Sequence, residues 1–72
     1  MLKEQISVVL NGEKKSLKKG ITVGELLSQF KVLPATVVVE VNEGILPKDS
    51  HATVQLKEGD RVELVRFVGG GW

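Results

Sequence analysis

Cysteine and tyrosine are absent from this chain, histidine and tryptophan occur once each, and phenylalanine and proline twice. Without cysteine there is no disulfide framework, no thiolate nucleophile and no thiolate metal site. Any sulfur handled here must be attached elsewhere than at a side-chain thiol. The single histidine, His51, follows the polar run Lys48, Asp49 and Ser50. It reads as a solvated loop residue, and no nucleophile–base–orienter set can be assembled around it. No His/Asp/Glu cluster shows metal-ligand spacing. The reading is therefore a non-enzyme that binds no metal and no cofactor of its own.

Charge of one sign is also missing. Ten Lys/Arg stand against nine Asp/Glu, which argues against nucleic acid or a membrane surface as the main partner. No aromatic residues are interleaved among the lysines to stack on bases. Long apolar runs are missing too. The start, "MLKEQISVVLNGEKK", acquires charges at once and reads as neither signal peptide nor membrane span. A cytoplasmic protein is expected.

What is present fits one small domain. At 72 residues the chain buries only about 60% of the surface exposed on unfolding, leaving little volume for an enclosed catalytic pocket. Ile6, Val8 and Leu10 alternate with Gln5, Ser7 and Val9, the period of a strand with one buried face. Asn11-Gly12 is a strong hairpin signal, and "EKKSLKK" reads as the return strand. Lys14, Lys15, Lys18 and Lys19 on that strand admit two readings: protection of an exposed sheet edge, or an anion-binding patch.

"TVGELLSQF" predicts a helix. Thr22 and Glu25 have capping-box spacing, and Val23, Leu26, Leu27 and Phe30 make one apolar stripe. Gly24 weakens the first turn, Lys31 suits the negative end of the helix dipole, and Pro34 forbids continuation. "TVVVEVN" is a further strand, with Val37, Val39 and Val41 on one face and Val38 and Glu40 on the other. Asn42-Glu43-Gly44 turns it into "ILP", at most a short edge strand because Pro47 has no N–H to donate. Val54 and Leu56 are expected to anchor the next connection. Gly59-Asp60 turns into the last strand, "RVELVRFV". One helix across one face of a mixed sheet of four to five strands is an α+β two-layer domain. We place that domain at residues 1–68 and a flexible glycine tail at 69–72.

Two features of the C-terminal segment suggest function. If Val62 and Leu64 face the core, Val65 and Phe67 point away from it. Joined by Val38, they would form a partner-docking patch, although isolated apolar side chains on a surface are common. Beyond them, Gly69, Gly70 and Gly71 form the narrowest peptide available. Three extended residues reach roughly 10 Å, enough to carry a terminal carboxylate into a partner's active site. A frayed terminus is the other reading of the same glycines.

The order of these elements, with "TVGELL", "VNEGILP", "EGDRVELVRFV" and the final "GGG", resembles the ThiS-type sulfur-carrier proteins of thiamine biosynthesis, which have a ubiquitin-like β-grasp fold. The resemblance covers nearly the whole chain. It implies that the carboxylate of Gly71 is adenylated by a ubiquitin-activating-like adenylyltransferase that uses ATP. It further implies that a sulfurtransferase or cysteine desulfurase system converts the adenylate to a thiocarboxylate, which delivers sulfur to thiazole synthase. Trp72 departs from the pattern, because an amide joins Gly71 to it. Either a processing peptidase removes Trp72 from a precursor, or the residue is an engineered addition. Since other proteins share the fold and the diglycine ending, sulfur delivery to molybdopterin or amino-acid biosynthesis, a ubiquitin-like modifier and a β-grasp interaction module are the alternatives.

Overall fold

The computed structural model describes residues 4–66. Alternation at Ile6, Val8 and Leu10 becomes strand β1 (Gln5–Leu10), and the chain returns as β2 (Glu13–Lys18). Leu10 pairs with Glu13 across a two-residue turn in which Asn11 and Gly12 have φ of 49° and 84°. This is the type I′ pattern, whose twist matches that of the flanking strands. A second hairpin repeats it. Strand β3 (Val37–Val41) turns into β4 (Gly44–Leu46) with Val41 paired to Gly44. Asn42 and Glu43 are the turn residues, at φ 51° and 75°, so the second positive φ falls on a glutamate while Gly44 already belongs to β4.

The last strand, β5 (Arg61–Arg66), inserts between the hairpins and gives the order β2-β1-β5-β3-β4. It runs parallel to β1 and antiparallel to β3. The sheet is thus mixed and five-stranded, and β2 is an edge strand. Lys14 and Lys18 are exposed on that edge, as expected for lysines that discourage pairing with another chain.

Helix α1 (Val23–Gln29) packs across one face. Its capping box is complete: the Glu25 N–H donates to Thr22 Oγ1 at 3.1 Å, and the Thr22 N–H donates to Glu25 Oε1 at 3.0 Å. Val23, Leu26 and Leu27 are buried against Ile6, Val8, Leu10, Leu17, Val37, Val39 and Val62. The expected fourth member of the stripe is not buried. Phe30 is the C-cap and 36% exposed, because the helix closes one residue earlier; Lys15 Nζ lies 5.9 Å from its ring centroid. Lys31 is likewise more than a charge near a dipole. At φ 59° it occupies the left-handed position just past the helix. Its N–H donates to Ser28 C=O at 3.1 Å, and the Val32 N–H donates to Leu27 C=O at 2.8 Å. Those two bonds are a Schellman closure, with lysine where glycine is usual.

His51 corrects the sequence reading. It is 7% exposed, and its Nε2 has no hydrogen-bond partner among the described residues. The connection after β4 folds under the start of α1 instead of into solvent. The Gly24 N–H donates to His51 C=O at 2.8 Å, the Val23 N–H to Val54 C=O at 3.0 Å, and the Leu56 N–H to Ile21 C=O at 2.9 Å. A Cβ on Gly24 would stand 3.4 Å from the His51 carbonyl oxygen, an ordinary van der Waals contact, so the approach is close without requiring glycine. Val54 and Leu56 anchor the connection as expected: Leu56 is buried, and Val54 packs partly buried against the core.

Candidate functional site on the outer face of β5

Strand β5 leads to the C-terminal segment, and its position is fixed from both sides. Asn42 Oδ1 accepts from the Arg61 N–H at 2.9 Å, while Asn42 Nδ2 donates to Asp60 Oδ1 at 3.0 Å. On the β1 side, Asn11 Oδ1 accepts from the Leu64 N–H at 2.9 Å. Each hairpin asparagine thus serves twice. Its backbone adopts the positive φ of the turn, and its side chain clips onto β5. The turn preceding β5 is pinned as well, with the Gly59 N–H donating to Ser7 C=O at 2.7 Å and the Ser7 N–H to Glu58 Oε1 at 2.9 Å.

Period two then divides β5. Val62 is fully buried and Leu64 half-buried against the core, whereas Val65 is 47% exposed on the opposite face. Val38 pairs directly with Val65 and is half-buried. The structure therefore brings together two of the three proposed docking residues. The third, Phe67, lies outside the described residues, as do Gly69, Gly70, Gly71 and Trp72. Two neighbours of the Val38–Val65 pair were missed. Glu40 pairs with Glu63 one step along the same face, and Ile45 of β4, opposite Glu40, is 70% exposed. Alternation in "VVVEV" and "RVELV" shows that both glutamates point outward, but the register that aligns them is not a local property.

Catalytic groups do not converge on this face. Among the described residues, no group of three or more His, Cys, Asp or Glu could hold a metal ion. No helix among them is long and apolar enough to cross a membrane. The features that stand out are a central strand clipped by both hairpin asparagines and a sheet face beside it that no other described element covers.

Two hairpins flanking a central strand that runs parallel to β1, with one helix across a single face, define the ubiquitin-like β-grasp class. Within that class the family match is direct: the ThiS family model covers residues 8–71, ending at the last glycine before Trp72. The chain belongs to the ThiS family. It is 38% identical over 63 residues to the sulfur carrier protein ThiS of Bacillus subtilis, covering 86% of this chain and 96% of that one. A thiazole synthase of Paramagnetospirillum magneticum is 41% identical over 66 residues, which is 92% of this chain but only 20% of that relative's length. In three dimensions, the crystal structure of the thiamine biosynthesis protein ThiS from Geobacter metallireducens matches with a TM-score of 0.79. The two are 35% identical, and the match covers 92% of this chain and 100% of that one.

Proposed function

We propose that this chain is a sulfur carrier for thiazole formation in thiamine biosynthesis, and that the carboxylate of Gly71 is its working group. The observation that carries this reading is the family match through residue 71, which takes in the whole glycine run. A free carboxylate is a poor acyl donor until one oxygen becomes a good leaving group. The carboxylate oxygen attacks the α-phosphorus of ATP on an adenylating partner, pyrophosphate leaves, and an acyl adenylate forms. The terminal sulfur of a persulfide held by a sulfurtransferase or cysteine desulfurase system then attacks the acyl carbon and expels AMP, giving an acyl disulfide. A second thiol attacks the sulfurtransferase or desulfurase sulfur of that bond, releasing the thiocarboxylate and leaving a disulfide behind. The partners supply the catalytic groups and this chain supplies an unhindered acyl end. It acts as a carrier and not as an enzyme.

Thiazole synthase is the proposed recipient. A protein of that name carries a segment 41% identical to this chain, and covalent joining raises the effective concentration of two units that must meet. Trp72 blocks the acyl end, so a peptidase trims the chain after Gly71 before activation. Incubation with a lysate of its source, which supplies the peptidase, together with ATP, the cognate adenylating enzyme and a sulfur source tests the proposal by intact-mass analysis. The expected product ends at Gly71 with one oxygen exchanged for sulfur. Sulfur found only on molecules that retain Trp72 would reject the trimming step, and attachment to a lysine of another protein would replace the carrier with a modifier.

A further inference from the structure

Asn11-Gly12 is chemically reactive as well as turn-forming. Both residues are exposed. The backbone nitrogen that follows an asparagine can attack its Cγ and close a five-membered ring, and glycine, having no Cβ, leaves that nitrogen uncrowded. No described atom lies within 4 Å of where a Cβ on Gly12 would stand, so water reaches the turn freely. Asn42, in the corresponding place of the second hairpin, is better protected. Its Oδ1 accepts from the Arg61 N–H at 2.9 Å, and its Nδ2 donates to Asp60 Oδ1 at 3.0 Å. The residue after it is Glu43, whose side chain crowds the attacking nitrogen.

The carboxamide of Asn11 is held at one atom only. Oδ1 accepts from the Leu64 N–H at 2.9 Å, while Nδ2, the group that would leave, has no partner among the described residues. The Asn11 N–H donates to Val62 C=O at 2.9 Å. Both bonds face β5, whereas the Gly12 nitrogen lies in the turn that leads to β2. Ring closure therefore requires the Asn11 side chain to release Leu64 first.

We infer that Asn11 is a spontaneous modification site, gated by its own bond to β5. When the bond to Leu64 opens, the Gly12 nitrogen attacks Asn11 Cγ. The Cγ–Nδ2 bond breaks, ammonia leaves with the proton of the attacking N–H, and a succinimide remains. Water then adds to one of the two imide carbonyls. Breaking the new N–Cγ bond gives aspartate, and breaking the original peptide C–N bond gives isoaspartate. No oxidant or reductant takes part. The two products differ in consequence. Aspartate keeps an acceptor oxygen for the Leu64 N–H, and a carboxylate accepts more strongly than a carboxamide. Isoaspartate routes the main chain through its side-chain carbons, adding one atom to a two-residue turn whose length fixes the pairing of Leu10 with Glu13. It loses both that register and the hold on β5. The inference stands apart from the carrier reading, and no partner protein enters its test.

The full chain and a synthetic peptide of residues 5–15 are aged side by side in mildly alkaline buffer. Peptide mapping then locates the mass gain of carboxamide turned to carboxylate. The expected result is conversion at Asn11, at least about 10-fold slower in the folded chain than in the peptide, because closure waits on a local opening. Urea that unfolds the chain should remove the difference. Equal rates in folded chain and peptide overturn the gate. Conversion at Asn42 ahead of Asn11, or none at Asn11, overturns the site. The aged forms are then separated and melted. Isoaspartate at position 11 should lower Tm by roughly 5 °C or more, whereas Asn11→Asp should melt within about 2 °C of the parent chain. An isoaspartate form as stable as the parent overturns the loss of the hold on β5.

Discussion

Lys31 shows how much a single backbone position can carry. Its φ of 59° lies in the left-handed region, which disfavours residues with a Cβ by roughly 1–2 kcal/mol, yet the two bonds closing the helix require that geometry. Lys31→Gly is therefore expected to stabilise the domain by about 0.5 kcal/mol, the relief of strain exceeding the entropy glycine adds to the unfolded chain. Urea unfolding with an unchanged slope checks it, and a loss of stability would show that the lysine side chain contributes more than its backbone strain. The charge and position of Lys31 were readable from the sequence, but its conformation was not. The pattern that predicted a helix ending near Phe30 did not say which residue would turn left-handed. His51 failed for a related reason. A polar run ahead of a lone histidine suggests solvent, and Lys48 and Asp49 are indeed exposed, but His51 itself is buried where its carbonyl accepts the backbone hydrogen bond from Gly24.

Elements here were more legible than their mutual placement. The alternation in β1, β3 and β5, the capping box at Thr22 and the Asn11-Gly12 turn all depend on residues within a few positions of one another, and each appears as expected. What local pattern could not supply was the insertion of β5 between the hairpins and the use of their asparagines to hold it. Asn11 reaches an N–H that lies 53 positions away in the chain. Its two roles are separable. Asn11→Gly keeps the positive φ but loses the clip, and should cost about 1 kcal/mol, as for a typical hydrogen bond. Asn11→Ala also places a Cβ at φ 49° and should cost about 2 kcal/mol or more. Chemical denaturation of both variants checks the order. Equal losses would mean that turn conformation contributes nothing beyond the side-chain bond.

At the scale of the whole molecule, a domain this small has little volume for an enclosed reaction site, and the proposed carrier function delegates the chemistry to partners. The folded body supplies a central strand clipped by both hairpin asparagines and an outer face carrying Val38, Val65 and the Glu40–Glu63 pair; in the proposed function the glycines that follow supply access. The apolar pair on that face was foreseen from period two alone. The acidic pair was not, because it arises only when β3 and β5 align in one register. The central claim concerns the acyl end of Gly71, and thiamine synthesis tests it in cells lacking the native copy. A chain ending at Gly71 should restore growth without added thiamine, and one cut after Val68, which keeps every described residue of the fold, should not. Growth supported by the version cut after Val68 would contradict the account, because sulfur would then be travelling on something other than the glycine terminus.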